Sequence, residues 1–372
     1  MNRSHRPIIQ YALCAAVTAV VLLFMLFAFG HSDAAGDGLP TQLGILDSYD
    51  RYVTNVLSDA LEGILAVEKV YWLNDRDLVA PEPNPENFGQ TQDPTQLQGL
   101  LEEAAGLLDG QDTLFSTDIS LYAGSKIKYY LDDTILCITW KMPVGKSVYT
   151  FSEVKIAHPS QFRRFLTGGQ YGSGVLYTTT EMAESVNAVT ASSGDYYSFR
   201  PFGIVVYDGV AQRLGPVQLD TCYVDEAGDL HFTYRKELND LDAVQRYVEE
   251  NKIRFSLAFG PVLLEDGEVK VPDYYAIGEI TKHYARAAVC QLGPLHYVLV
   301  TSNSEPPYIH NPTMEDFAES LLGLGIPDAY ALDGGQTAVI VTGDELINSV
   351  VYGYQRPISD MIYFATAMPE ER

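Results

Sequence analysis

The feature that most constrains the fold is a pair of apolar runs near the C-terminus, separated by a short polar corner. Residues 329–341 read AYALDGGQTAVIV. Runs of this length and composition predict two buried strands, 329–332 and 338–341. The corner between them holds Asp333, Gly334, Gly335, Gln336 and Thr337, and its glycines let a ligand approach the backbone closely. The corner predicts either a binding site for a small anion or an ordinary β-hairpin in which Asp333 and Gly334 form the turn.

The charge balance limits the partners of this chain. With 49 acidic and 24 basic residues, the formal net charge is -25. A field of this sign repels the phosphate backbone of nucleic acids, so nucleic acid is not expected as a partner. A bound phosphate would have to be held by a few local cations.

The cysteines do not suggest a metal centre. Cys14 lies within the apolar N-terminal segment, and Cys137, Cys222 and Cys290 show no CxxC or Cys/His ligand spacing. Buried free thiols are the default expectation for these three, and one disulfide among them stays open.

The N-terminus predicts a membrane anchor. Arg3, His5 and Arg6 precede the apolar segment 8–30, which is long enough to cross a bilayer as a helix. The positive flank places residues 1–7 in the cytoplasm and the rest of the chain outside a cell membrane crossed once. The alternative is a secretory signal peptide, cleaved near the small residues at 32–35, that releases a secreted protein.

The remaining pattern predicts a stalk and one mixed domain. Residues 31–113 are expected to form a helical stalk and linker, with an amphipathic helix at 41–73, a proline-rich loop and a helix at 97–108. Residues 114–372 contain many short strand patterns, with helices expected at 159–166, 180–187, 240–251 and 313–324. Because strands and helices alternate without a strict βαβ period, we expect an α+β fold with a mixed β-sheet core and packed helices.

Three further stretches carry residues suited to chemistry. Ser193, Gly194 and Asp195 end an apolar strand, where the carboxylate would serve as an acid or base and the serine would hold a substrate oxygen. Arg286 is flanked by small apolar residues, and its planar guanidinium group suits a carboxylate or a phosphate. Arg356 precedes the last strand. The alternatives are a turn for the first stretch, a structural salt bridge for Arg286 and a capping role for Arg356.

The motif search argues against a resident cofactor. The chain contains no G-x-S-x-G, H-E-x-x-H or P-loop sequence. We expect neither a cofactor nor a dedicated metal site, although carboxylates holding a calcium ion stay open because acidic residues are abundant.

The order of short motifs from about 152 to 367 resembles the phosphodiester glycosidase family, which includes the lysosomal uncovering enzyme and bacterial exopolysaccharide biosynthesis proteins. The motifs are KIAHPSQ (155–161), the 189–197 strand and loop, GIVVYDG (203–209), AFGP (258–261), RAA (286–288), LDGG (332–335) and RPISD (356–360). Many members have Asn-Gly where this chain has Ser193-Gly194, and a third glycine and serines where it has Gln336-Thr337-Ala338.

The resemblance implies hydrolysis of a sugar-1-phosphodiester between the anomeric carbon and the phosphate. It implies catalysis by Asp195 and Asp333, with Arg286 and Arg356 on the phosphate. Substrate binding is further implied for Ser193, Gly194, Gly334, Gln336 and Thr337. We expect the backbone amides of Gly334 and Gly335 to add donors where negative charge develops. We expect a membrane-anchored hydrolase acting outside the cell on an envelope or exopolysaccharide glycan. The alternative is a non-catalytic surface module that binds glycan or phosphate and assists exopolysaccharide assembly.

Overall fold

The computed structural model describes residues 79–108, 113–114, 126–277 and 279–367. The predicted membrane anchor at 8–30 and the stalk helix at 41–73 lie outside the described residues. Within the described residues, no helix combines the length and apolarity needed to span a bilayer.

Strands dominate the described part of the chain. They are β1 (Phe88–Thr91), β2 (Ile127–Leu131), β3 (Ile135–Val144), β4 (Ser147–Ile156), β5 (Phe162–Leu166), β6 (Thr190–Ser193), β7 (Ile204–Tyr207), β8 (Val210–Leu214), β9 (Thr221–Asp225), β10 (Leu230–Thr233), β11 (Ile253–Leu257), β12 (Val262–Glu265), β13 (Glu268–Val269), β14 (Arg286–Gly293), β15 (His296–Asn303), β16 (Asp328–Leu332), β17 (Ile340–Thr342), β18 (Glu345–Leu346) and β19 (Asp360–Phe364). The α-helices are α1 (Pro94–Leu107), α2 (Thr179–Ser185), α3 (Leu241–Glu250) and α4 (Met314–Gly323).

The strands form three sheets in which neighbours pair antiparallel. The large sheet has the order β1-β2-β3-β4-β15-β14-β16-β12-β13. Two smaller sheets have the orders β10-β9-β11-β7-β8 and β18-β17-β6-β19-β5. Every residue of β4 is buried, as expected for a central strand covered on both faces.

The large sheet is covered differently on its two faces. On one face, Leu97 of α1 and Phe317 and Leu321 of α4 pack into a core cluster with strand residues. On the other face, a second cluster joins the large sheet to both small sheets, with Phe162 of β5 stacked on Phe364 of β19 at 4.6 Å between ring centroids. This layering is the expected way for each sheet to bury its apolar face.

The polar corner at 333–337 is a crossing between sheets. Strand β16 pairs with β12 and β14 in the large sheet, whereas β17 pairs with β6 and β18 in a small sheet. A short 3-10 turn, Gly335–Thr337, separates the two strands. The hairpin alternative for this stretch is therefore wrong, because the two strands are not hydrogen-bonded to each other.

The sheet-rich architecture with a few packed helices agrees with the mixed α+β expectation. The helices expected at 97–108, 180–187, 240–251 and 313–324 correspond to α1, α2, α3 and α4. Residues 88–107, which the sequence places in the linker, instead contribute edge strand β1 and the covering helix α1. Cys137, Cys222 and Cys290 are buried free thiols.

The helix expected at 159–166 is wrong. His158 does cap a helical turn at Pro159–Gln161, but β5 begins at Phe162 and pairs with β19. The local start signal is present, yet burial of Phe162 between the sheets favours an extended continuation. Tertiary packing here overrides local preference.

A buried ion cluster ties one small sheet to the neighbouring one. Arg164 of β5 lies 2.9 Å from Asp195 and 2.8 Å from Asp360, and the three side chains are fully excluded from solvent. The same guanidinium donates to the carbonyl of Ser256 in β11. Burial raises the pKa of Asp360, and the Arg164 charge opposes that rise.

We expect Arg164→Met to destabilise the fold strongly. The substitution would leave two buried carboxylates without their cation, which costs about 3–5 kcal/mol in comparable cases. The free energy of unfolding from urea titrations checks this. Lys252→Met is the control, since its pair with Glu226 at 3.8 Å is solvent-exposed and should contribute little. Equal stability of wild type and the Arg164 variant would contradict a structural role for the cluster.

Candidate active site

A cavity of about 360 Å³ opens at the end of β16. Asp333, Gly334 and Gly335 form one part of its wall, and Arg286 and Arg356 form another. The structure thus brings together five of the residues singled out in the sequence. The cavity also has an aromatic and cationic side, formed by Tyr196, Arg200, Phe259 and Tyr284.

The two glycines of the corner are required by close backbone packing. A Cβ atom on Gly334 would lie 2.6 Å from the carbonyl oxygen of Ala285, and Gly335 has a φ of 66°. The amide of Gly335 donates to Ala285 O at 2.9 Å. This amide is therefore engaged within the protein, contrary to the expectation that it would face a ligand.

Asp333 is a buried carboxylate paired with Arg356. The Nη2 atom of Arg356 donates to Asp333 Oδ2. Burial raises the pKa of Asp333 to about 6, while the Arg356 charge and a hydrogen bond with Thr337 act in the opposite direction. A carboxylate with a pKa near the working pH is suited to exchange a proton during a reaction.

Three guanidinium groups surround the cavity. Burial lowers the pKa of Arg286 to about 10, so it stays positively charged at neutral pH. Arg356 lies 5.2 Å from the ring centroid of Tyr196, and Arg200 lies 5.5 Å from the centroid of the same ring. The cavity lining therefore combines three guanidinium groups with the carboxylates of Asp333 and Glu279, in a chain whose net charge is -25.

Asp195 lies behind the cavity wall. It is 1% exposed, and its carboxylate accepts hydrogen bonds from the amides of Tyr197 at 2.7 Å and Ala258 at 2.9 Å in addition to its ion pair with Arg164. These contacts face the protein interior, so the structure does not bring Asp195 into the cavity with Asp333. The catalytic role expected for Asp195 stays a prediction.

Ser193 and Gly194 support the corner from the same side. Ser193 Oγ donates to the carbonyl of Asp333 at 2.8 Å, and the carbonyl of Gly194 accepts from the Asp333 amide at 3.1 Å. A Cβ atom on Gly194 would lie 2.0 Å from a carboxylate oxygen of Asp360. The 193–195 loop therefore fixes the backbone that carries Asp333.

Gln336 and Thr337 follow the cavity wall without forming part of it. Thr337 is buried and donates to the carbonyl of Gly334 at 2.8 Å. The buried Nε2 atom of Gln336 has no hydrogen-bond partner among the residues that the structure describes.

Sequence reasoning missed several residues that shape this site. Arg164 was hidden inside an apolar strand pattern, although a charged residue at a buried strand position signals an ion pair. Arg200 occurs in a loop without a motif, whereas Tyr196 and Phe259 lie within the 189–197 and AFGP motifs without having been singled out, and only the fold brings the three to the cavity. Across the described ranges, no three His, Cys, Asp or Glu side chains gather into a group able to hold a metal ion.

A family model described as phosphodiester glycosidase matches residues 185–365. The resemblance to this family is confirmed. The matched segment contains the corner, Arg286, Arg356 and the 193–195 loop, whereas Arg164 lies outside it. The phosphodiester glycosidase family is a family of hydrolases.

One solved structure, at a TM-score of 0.50, supports the fold of this phosphodiester glycosidase-like domain. The chain is similar to the zebrafish N-acetylglucosamine-1-phosphodiester alpha-N-acetylglucosaminidase catalytic domain, auto-inhibited by its pro-peptide, with a TM-score of 0.50 and 17% identity over 62% of this chain and 83% of that one. A hypothetical protein from Synechocystis gives a TM-score of 0.46 at 12% identity, covering 64% of this chain and 63% of that one. A putative exported protein from Burkholderia pseudomallei gives 0.38 at 12% identity, covering 59% and 74%. Among curated proteins, none matches the chain.

The raised pKa of Asp333 predicts that the difference in stability between wild type and Asp333→Asn depends on pH. Between the ordinary value of 3.8 and about 6, the folded protein holds a proton that the unfolded chain has released, so stability falls as the pH rises. Asp333→Asn removes this titration. We expect its stability relative to wild type to increase by about 3 kcal/mol from pH 3.5 to 7. Urea unfolding at each pH checks this, and a constant difference would contradict it.

Proposed function

We propose that the chain is a hydrolase that cleaves a sugar-1-phosphodiester between the anomeric carbon and the phosphate oxygen. The observation that carries the proposal is the buried carboxylate of Asp333 beside three guanidinium groups in one open cavity. The match of residues 185–365 to the phosphodiester glycosidase family gives this geometry its reaction class.

The proposed reaction replaces a carbon–oxygen bond at the sugar by a bond to water. The bond between C1 and the phosphate oxygen breaks, and the leaving phosphate keeps the electron pair. The oxygen of water bonds to C1, and its proton passes through Asp333 to solvent. The developing positive charge on the sugar is stabilised by the Asp333 carboxylate, as in other glycoside hydrolases.

The arginines would hold the phosphate. Arg286 and Arg356 line the cavity with planar guanidinium groups that suit phosphate oxygens, and Arg200 adds a third cation. The Nη2 atom of Arg286 already donates to the carbonyl of Lys282, and that of Arg356 donates to Asp333, so these contacts orient the two groups. Holding the leaving group in this way stabilises the charge that it gains in the transition state. Because a phosphate is already a good leaving group, a second carboxylic acid is not needed to protonate it. The sugar would pack on the apolar surfaces of Tyr196 and Phe259.

Asp195 would act as a positioning residue in this scheme. Its contacts hold the 193–195 loop, and Ser193 and Gly194 in turn bond the backbone of Asp333. Small errors in the position of a reacting group cost large factors in rate. The loop would therefore influence the reaction without touching the substrate.

We further propose that the domain acts outside the cell. The apolar segment 8–30 with its positive flank supports a single membrane anchor, and cleavage near 32–35 would give a secreted form. A phosphate-containing envelope or exopolysaccharide glycan is the substrate that this location would offer. Growth of a tagged strain followed by protease treatment of intact cells tests the proposal, since an inward-facing domain would stay protected.

A second candidate is a non-catalytic module that binds a phosphate-containing glycan. It is favoured by the Gln336-Thr337-Ala338 sequence, which replaces the third glycine and serines of many family members. The same arginine-lined cavity would serve this role. Binding of a sugar-1-phosphodiester without turnover, unaffected by Asp333→Asn, would support the module and overturn the hydrolase.

We expect Asp333→Asn to lower kcat by about a hundredfold or more, because the variant loses the carboxylate that accepts the proton. The assay measures free sugar released from a panel of hexose-1-phosphate methyl esters that includes N-acetylglucosamine. Asp266→Asn is the matched control, since this exposed aspartate lies on the β12–β13 turn and outside the cavity wall. Similar rates for wild type and Asp333→Asn would contradict the proposed role of this carboxylate.

The pH dependence of kcat/KM should report the ionisation of Asp333. Asp333 acts as a carboxylate in the proposed reaction, so kcat/KM should fall about tenfold per pH unit below its pKa of about 6. Rates of sugar release from pH 4.5 to 8 measure this limb. A rate that instead rises on acidification through pH 6 would show that the protonated form is the active one.

A further inference from the structure

Two tyrosines on the segment that leads to Arg356 are exposed in a way that folding does not explain. Tyr352 is 81% exposed and Tyr354 is 64% exposed, whereas Tyr149, Tyr297 and Tyr330 are fully buried strand residues. An exposed aromatic pair contributes little to the core. Aromatic side chains that stay in water at the edge of a site commonly contact a ligand.

The segment that carries both tyrosines is held firmly on either side. Before it, Asn348 donates to the carbonyl of Ala338 at 2.7 Å and accepts from the amide of Ile340 at 2.7 Å. After it, Gln355 donates to Thr180 Oγ1 at 2.6 Å. The segment 349–354 is therefore anchored at both of its ends.

Tyr352 adopts a backbone conformation that is unfavourable for tyrosine. Its φ is 63°, in the left-handed region that glycine and asparagine tolerate better. The ring is mostly in water, so packing does not compensate for this conformation. Unfavourable backbone conformations concentrate at ligand-binding positions, where the side chain has a task other than stability.

The segment that carries the tyrosines leads to the cavity, although neither tyrosine is among the residues that line it. Tyr354 precedes Arg356 by two residues, which limits the separation of their Cα atoms to about 7 Å. The turn Val351–Gly353 also packs against the turn Gly335–Thr337, which begins at the cavity wall. A substrate with its phosphate on Arg356 would extend towards these rings.

The chemistry of the pair suits a sugar. A tyrosine ring offers a flat apolar face to the C–H groups of a pyranose, and its hydroxyl group can bond to sugar hydroxyls. An anionic lipid surface is disfavoured by the net charge of -25.

We propose that Tyr352 and Tyr354 form a carbohydrate-binding platform for the part of the substrate that lies beyond the phosphate. The placement of this platform on the far side of the phosphate rests on the proposed function. The platform itself is independent of turnover.

Binding without hydrolysis tests the platform directly. Calorimetric titration of the full-length chain with phosphate-free chitotetraose, maltotetraose and mannotetraose should detect binding of at least one. We expect Tyr352→Ala combined with Tyr354→Ala to weaken that binding about tenfold. The control Tyr274→Ala, whose ring is 75% exposed on another segment, should retain it. Absence of binding by wild type, or equal binding by the double alanine variant, would overturn the proposal.

Two further variants separate binding from stability. Tyr352→Asn should raise the melting temperature, because asparagine accepts the backbone conformation, while it weakens oligosaccharide binding. The double phenylalanine variant, with Tyr352→Phe and Tyr354→Phe, should keep most of the binding because the ring faces remain. Loss of binding in the phenylalanine variant to the level of the alanine variant would contradict stacking.

Kinetics then test the orientation along the substrate. The double alanine variant should raise KM for a phosphate-linked disaccharide about tenfold more than KM for the methyl ester of the same sugar-1-phosphate. An equal change for both esters would overturn the assignment of the platform to the far side of the phosphate. If wild type hydrolyses neither ester, the proposed function fails, while the titrations still decide the platform.

Discussion

The buried contact of Arg164 with Asp195 and Asp360 is the interaction on which the site depends. One guanidinium, excluded from water, joins β5 to the start of β19, to the loop after β6 and to the backbone of β11. In a low-dielectric interior these charge-assisted bonds are strong when complete and costly when one partner is lost. These bonds fix the 193–195 loop, which is hydrogen-bonded to the backbone of Asp333. Arg164, which lies outside the cavity, therefore helps to position the cavity carboxylate.

The sequence was informative wherever a polar residue interrupts or ends an apolar strand. Asp333, Arg286 and Arg356 come from three distant segments, and each could be singled out because such a residue at a strand end must find a partner or a ligand. Their common location in one cavity needed the fold, since it depends on which sheet each strand joins. Asp195 shows the limit of this reasoning, because a carboxylate in a cavity and a carboxylate in a buried ion pair look alike in sequence.

Local signals also proved incomplete where long-range pairing decides the structure. His158 and Gln161 form the capping contacts of a helix start, yet the helix lasts a single turn before β5 begins. Strand β6 is inserted between β17 and β19, which follow it by well over a hundred residues. Strand pairs that are so distant in the chain cannot be predicted from the sequence pattern within a window of about ten or fifteen residues.

The aromatic packing between the sheets lies away from the cavity. Arg286 begins β14 of the large sheet, whereas Arg356 lies in the segment before β19 of a small sheet, so the two cations come from different layers of the fold. The stacked rings of Phe162 and Phe364, with Tyr297 at 5.0 Å from Phe162, join these layers at the opposite ends of β14 and β19. A substitution in that core would change the packing of the two layers without altering any residue of the cavity wall.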